Sequence, residues 1–208
     1  MPRASRSFFS RYTPDVARDL LGCVIVRPLD GATLRARIVE VEAYRGADDP
    51  ASHAYRGITK RTSVMFGQPG KAYVYFIFGN HYCLNVTTEV EGVAGAVLIR
   101  AAEPLQGIEV MQKRRGLSEL TNLMSGPGKL TKAMGIDATL NGEDMVVSRK
   151  LYLLAGVVPK KIGVSTRIGV SVGVETEWRY FEQGSPFVSG ARMHNYRNRA
   201  AGGRGVVG

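Results

Sequence analysis

Two tight-turn dipeptides, Asp30-Gly31 and Gly79-Asn80, each stand between apolar runs of strand length. So short a turn leaves no room for a crossover, and its flanks must pair antiparallel. Residues 23–28 and 33–44 are predicted to form one hairpin, residues 72–78 and 82–87 a second, and residues 94–101 a further strand. Short runs at 151–155 and 162–174 add strand candidates. The sheet is therefore expected to be mainly antiparallel.

Helical patterning is sparser. Tyr12-Thr13-Pro14-Asp15 sets a capping Thr before a Pro at the first helical position, and Val16, Ala17, Leu20 and Leu21 form an apolar stripe that Gly22 ends. Glu103-Pro104 is read as opening a second helix, with Leu105, Ile108 and Met111 on one face and Lys113, Arg114 and Arg115 near its C-terminus, where cations suit the dipole. Ser125-Gly126-Pro127-Gly128-Lys129 leads into a third. Residues 45–70, rich in Gly, Asp, Pro, Ser and Thr, read as a long functional loop with one helical turn after Asp49-Pro50. The expected architecture is α+β: one domain over residues 1–208, with a curved, mainly antiparallel sheet flanked by helices and a protruding β-hairpin. Residues 1–7 and 200–208 are expected to be flexible ends.

At 208 residues the chain suits a single core. Lys plus Arg outnumber Asp plus Glu by 28 to 18, for a net charge of +10, which favours a polyanionic partner such as nucleic acid or an anionic membrane surface. No apolar run approaches the ~20 residues of a membrane span, and residues 1–7 lack the apolar segment of a secretory signal. A reducing cytoplasm, or the nucleus in a eukaryote, is expected. Cys23 and Cys83 sit in apolar, strand-like surroundings where a free buried thiol is the commoner state.

The candidate chemistry begins at residues 33–44. Alternation puts Glu40, Glu42 and Tyr44 on one face and Val39, Val41 and Ala43 on the other. Carboxylates two residues apart have attachment points roughly 6.5–7 Å apart, near enough for one to perturb the other in a partly buried site. Such a pair is either a solvated strand face or the seat of a general base. His53, His81 and His194 form no metal-binding pair, and neither zinc-protease nor zinc-deaminase patterns occur; no metal and no cofactor are expected. In Tyr73-Val74-Tyr75-Phe76-Ile77-Phe78 aromatics occupy both faces, and Phe78, near a hairpin tip, has the shape of a wedge between stacked bases. Gly126-Pro127-Gly128-Lys129 before a helix is compatible with a phosphate contact through Gly128 and Lys129. It is not a nucleotide-hydrolysing loop, because Leu130 replaces the required Ser or Thr.

Ile38-Val39-Glu40-Val41-Glu42-Ala43-Tyr44, His53, Tyr73 through Asn85, Leu98-Ile99-Arg100-Ala101-Ala102-Glu103-Pro104 and Ser125-Gly126-Pro127-Gly128-Lys129-Leu130 together resemble the alkyladenine (3-methyladenine) DNA glycosylase family in order and spacing. The resemblance extends from about Thr13 to Gly184-Ser185-Pro186-Phe187-Val188-Ser189. It implies a monofunctional enzyme that flips an alkylated or deaminated purine from duplex DNA and hydrolyses its glycosidic bond. Glu42 would be the general base and Arg100 its partner in holding water; Tyr44, His53, Tyr75 and Asn85 would line the base pocket, and Phe78 would intercalate where mammalian members carry Tyr. Duplex DNA is the implied partner of a monomer. The alternative is a non-catalytic, basic nucleic-acid binding module using the same charge and aromatics.

Overall fold

The computed structural model describes residues 1–29, 31–77 and 79–190. Its longest strand, β2 (Ala32–Arg45), is the one on which the sheet is assembled. Strand β1 (Val24–Leu29) folds back onto its first half, with Val24 opposite Arg37 and Leu29 opposite Ala32. Gly31 makes the turn at φ 74°, the left-handed region open to glycine without steric cost; Asp30 lies outside the described residues. The second hairpin joins β3 (Ala72–Ile77) to β4 (His81–Thr87), and β5 (Gly95–Gln106) lies between β4 and β2.

Beyond β1 the sheet ends in the short β6 (Tyr152–Leu154), so the main path runs β3-β4-β5-β2-β1-β6. A small antiparallel pair, β7 (Ile162–Ser165) and β8 (Arg179–Glu182), completes the eight strands found among the described residues. Strand β8 pairs with Glu40, Val41 and Glu42, on the part of β2 that β1 leaves free. The second half of β2 is thereby enclosed between β5 and β8. This α+β arrangement agrees with the predicted mainly antiparallel sheet.

Helices cover the apolar face. Val16, Ala17 and Leu20 of α2 (Thr13–Leu20), Met111 of α3 (Ile108–Arg115) and Leu130, Ala133 and Met134 of α4 (Pro127–Met134) join Ile38, Val41, Leu84, Val97 and Ile99 of the sheet in one core. The short α1 (Arg6–Phe9) adds the buried Phe9. No helix among the described residues is long and apolar enough to cross a membrane.

Several local expectations are corrected. Thr13 does not cap α2: its N–H and hydroxyl both donate to Glu89, at 2.8 and 2.7 Å. A carboxylate from a distant loop thus serves a helix N-terminus, where negative charge is favourable. Strand β5 runs through Pro104, and the helix begins only after Gly107, leaving Leu105 exposed on the strand. Of residues 162–174 only the first four are strand. The helical turn of the long loop is a 3₁₀ turn at Ser63–Phe66, not one after Pro50. Residues 1–7 are not a loose end: the Ala4 N–H donates to the Leu153 carbonyl at 3.0 Å, and Ala4 is buried. Residues 191–208, including His194, lie outside the described residues.

The start of β1 depends on a close backbone approach. Gly22 has φ 84°, and a Cβ there would lie 2.0 Å from the Val157 carbonyl oxygen. Gly31, at similar φ, has nothing within 4 Å. Gly31→Ala should cost about 1–2 kcal/mol in urea unfolding, from the left-handed backbone alone. Gly22→Ala should cost more, because strand β1 or the Val157 segment must also shift.

Candidate active site

Two irregularities in the β2–β5 ladder lie at the site. Ile38 faces Ala102 and Glu40 faces Ala101, so Val39 is inserted on β2; Val41 then faces Ile99, so Arg100 is inserted on β5. Bulges re-aim side chains, and these two restore the register one after the other. Val39 leaves the company of Val41 and Ala43, contrary to strict alternation, and packs with Ala101 and Val188 in a small separate cluster. Arg100 is delivered to the carboxylate face: its Nε donates to Glu40 Oε1 at 3.3 Å and its Nη1 to Glu42 Oε2 at 3.1 Å.

Both carboxylates have no solvent exposure, which removes the solvated-face reading. Their surroundings differ. Glu40 also accepts from Arg179 Nε, from Ser189 N–H and from Ser189 Oγ, each at 2.7 Å, so it ties β2 to β8 and to the chain after it. Glu42 accepts from the Tyr44 hydroxyl at 2.8 Å, from Arg100 and from the Ile168 N–H at 2.7 Å. Two acids and two guanidiniums make a buried cluster with no net charge, the condition under which burial of ions is tolerated. Burial opposes the charge on Arg100, but Glu42 and then Glu40 outweigh it and hold its pKa above the ordinary value.

Beside this cluster opens a cavity of about 650 Å³, within the usual range for small-ligand pockets. Tyr44, His53, Tyr75, Asn85 and Arg100, predicted from separate parts of the sequence, all line it. Glu42 does not; it lies behind Tyr44, Arg100 and Ile168, which do. The rings of His53 and Tyr75 meet edge to face, 4.6 Å apart at 73°, and His53 Nδ1 is 3.0 Å from the Tyr73 hydroxyl. The Asn85 amide donates to the Tyr73 carbonyl at 3.0 Å. Burial, then Glu42, pushes the Tyr44 phenol up, and burial, then Cys83, does the same for Tyr75; both remain neutral hydrogen-bonding groups.

Lys129 and Gly128 line the same cavity. The Lys129 ammonium donates to Asn122 Oδ1 at 2.6 Å, and a Cβ on Gly128 would come within 2.8 Å of the His81 ring. Phe78 lies outside the described residues. Cys23 and Cys83 are both free and buried.

Sequence reasoning passed over the wall formed by residues 166–178. Arg167 makes a bidentate pair with Asp49 at 2.7 and 2.8 Å, with both side chains buried, and the next residue supplies the N–H to Glu42. Arg179 and Ser189 escaped notice as well. No signal in the pattern marked them, because apolar residues keep alternating at Ile168, Val170, Val172 and Val174 as they do at Ile162 and Val164.

A basic protein with a charge-compensated carboxylate pair beside an aromatic cavity is the equipment of a glycosidic-bond hydrolase acting on a polyanion, and comparison with known proteins specifies that class. The chain belongs to the methylpurine-DNA glycosylase family, whose sequence profile matches residues 7–186; it is a DNA-repair hydrolase acting on N-glycosyl bonds. Relatives provisionally named 3-methyladenine DNA glycosylase include one from Carboxydothermus hydrogenoformans, 48% identical over 186 residues, spanning 88% of this chain and 97% of the relative. Another, from Chlorobaculum parvum, is 47% identical over 195 residues and 93% of each chain. A third, from Methanocella arvoryzae, is 48% identical over 193 residues, 91% of this chain and 96% of its own.

His53 gives the site a measurable signature. Partial enclosure, and secondarily the charge of Arg61, push its pKa down from 6.5 to about 4, so the imidazole is neutral at physiological pH. An NMR titration should place its midpoint near 4. Arg61→Ala should raise that midpoint but leave it below the ordinary value, because enclosure is the larger cause.

Proposed function

We propose that the protein is a monofunctional glycosylase that takes an alkylated purine out of duplex DNA into the cavity and hydrolyses its bond to deoxyribose, with Glu42 as general base. The observation that carries this reading is the Glu42 carboxylate, held by three donors directly behind an aromatic-walled cavity. A purely binding module gains nothing from a carboxylate buried behind its cavity.

In this reading the flipped base stacks against Tyr44 and Tyr75. A base carrying a formal positive charge gains roughly 0.5–2 kcal/mol from such faces over a neutral one. Neutral His53 holds the sugar side by hydrogen bonding, and Asn85, fixed by its bond to Tyr73, crowds the 2-amino group of normal guanine. Phe78 fills the gap left in the duplex, and Lys129 with Gly128 meets a phosphate. Deaminated purines enter by the same route without the cationic gain.

The chemistry needs little more than a base and a positioned water. The C1′–N bond breaks with its electron pair passing to the purine, the water oxygen bonds to C1′, and Glu42 takes the water's proton. Ionised Glu42 also attracts the positive charge that develops on the sugar. Because Glu42 lies behind Tyr44 and Arg100, arrival of the substrate must part them enough to admit water. The Lys129 ammonium is engaged with Asn122, which supports release of an abasic site without strand cleavage.

Glu42→Gln should retain affinity for methylated duplex while base release falls by at least about 100-fold, the lower scale of general-base catalysis; no release by either form despite retained binding to DNA would leave the binding-module reading ahead. Tyr75→Ala should lower kcat/KM for a cationic base by about 10- to 100-fold, the loss of one base–aromatic stack. Borohydride treatment during turnover should trap no protein–DNA adduct; a trapped adduct would end the monofunctional assignment.

A further inference from the structure

The buried Arg167–Asp49 pair lies outside the predicted machinery and touches no surface. Both terminal nitrogens of Arg167 are engaged: bidentate on Asp49, donating to the Ala43 carbonyl at 3.0 Å and to the Gly173 carbonyl at 3.4 Å, with the guanidinium 4.8 Å from the centre of the Tyr44 ring; its buried Nε has no hydrogen-bond partner. Ala43 follows Glu42 directly, and its own N–H donates to the Trp178 carbonyl at 2.9 Å. The loop of residues 166–178 is thus fastened to β2 at both ends, on either side of the residue after Glu42.

Asp49 has a second set of bonds. Its carboxylate accepts from the Arg45 N–H and the Ala51 N–H, both at 3.1 Å, and so orders the turn that leads to His53. The ion pair therefore joins two walls of the cavity, one carrying His53 and the other carrying Ile168. The consequence for chemistry lies in a single bond, the 2.7 Å hydrogen bond from the Ile168 N–H to Glu42 Oε1. An amide can be aimed at a carboxylate only by fixing the backbone on which it stands, and the residue immediately before Ile168 is the most firmly fixed in the loop.

We propose that Arg167 and Asp49 form a positioning unit for the glycosylase reaction: they hold the Ile168 N–H on Glu42, and through it the orientation in which that carboxylate accepts the proton of water. This rests on the assignment of Glu42 as general base. Neither residue touches substrate, so their loss should act on the rate of bond cleavage rather than on DNA binding.

The test uses the full chain, methylated duplex DNA and an uncleavable duplex containing an abasic-site analogue. Asp49→Asn keeps the shape of the side chain and removes the charge that fixes Arg167. It should slow single-turnover base release by about 10- to 100-fold, the scale of a misplacement of about 1 Å, while the Kd for the uncleavable duplex changes by less than about threefold. A second variant replaces Ile168 by its α-hydroxy acid, exchanging the amide N–H for an ester oxygen and leaving every charged group in place. It should show the same split between rate and affinity, and if Asp49→Asn does not fold, Arg167→Lys, which keeps the charge and loses the bidentate pair, should show that split in its place. Wild-type release by the ester variant, or rate and affinity falling together, would overturn the positioning role. Glu42→Gln separates the two assignments: wild-type release by that variant removes the general-base reading, whereas loss of release there with unaffected positioning variants removes only this inference.

Discussion

The structure turns on the contact between Arg100 and the carboxylates of Glu40 and Glu42. A guanidinium and two acids cannot be taken out of water separately; each alone would cost several kcal/mol, and removing one member of such a cluster leaves an uncompensated buried charge worth about 3–5 kcal/mol. The cluster lies where Val39 and Arg100 are inserted into the β2–β5 ladder. Along β5, Val97 and Ile99 join the core while Leu98 and Arg100 face the cavity; after the insertion Ala101 packs in the separate cluster and Ala102 returns to the core. The bulges therefore set where the main core gives way to the separate cluster of Val39, Ala101 and Val188.

The two acids, alike in sequence, divide labour through their surroundings. Glu40 is consumed by structure: Arg179 and Ser189 bind it from β8 and from the segment beyond, holding that small hairpin against β2. Glu42 has partners that all stand at the cavity wall. The covering element is a loop rather than a strand because it must turn a backbone N–H inward to Glu42 while exposing apolar side chains such as Ile168 and Val172. A strand in a ladder commits its N–H groups to a neighbouring strand; a loop pinned by a buried ion pair does not.

Much of this was legible before the fold was known. The tight turns, of two and three residues, gave the hairpins, since such turns permit only antiparallel flanks, and the period of two placed Glu40 and Glu42 together. The same reasoning erred at Val39, where one inserted residue reverses the face of everything before it, and at Glu103-Pro104, where proline ended neither the strand nor its pairing. Thr13 was read as a local cap because nothing in the neighbouring sequence announces Glu89, some 76 positions away.

Local pattern thus determined what is local: turn chemistry, strand periodicity, the presence of a carboxylate pair, and a net positive charge suited to a polyanion. The resemblance in sequence carried the choice of Glu42, Arg100, Tyr44, His53, Tyr75 and Asn85, which no spacing rule joins. Only the tertiary structure decided which partners each acid has, that Glu42 lies behind Tyr44 and Arg100, and that Ile168 and the Arg167–Asp49 pair pack beside it. The reason is physical. A side chain's hydrogen-bond partners and its exclusion from water are properties of segments brought together across the fold, and no stretch of chain contains them by itself.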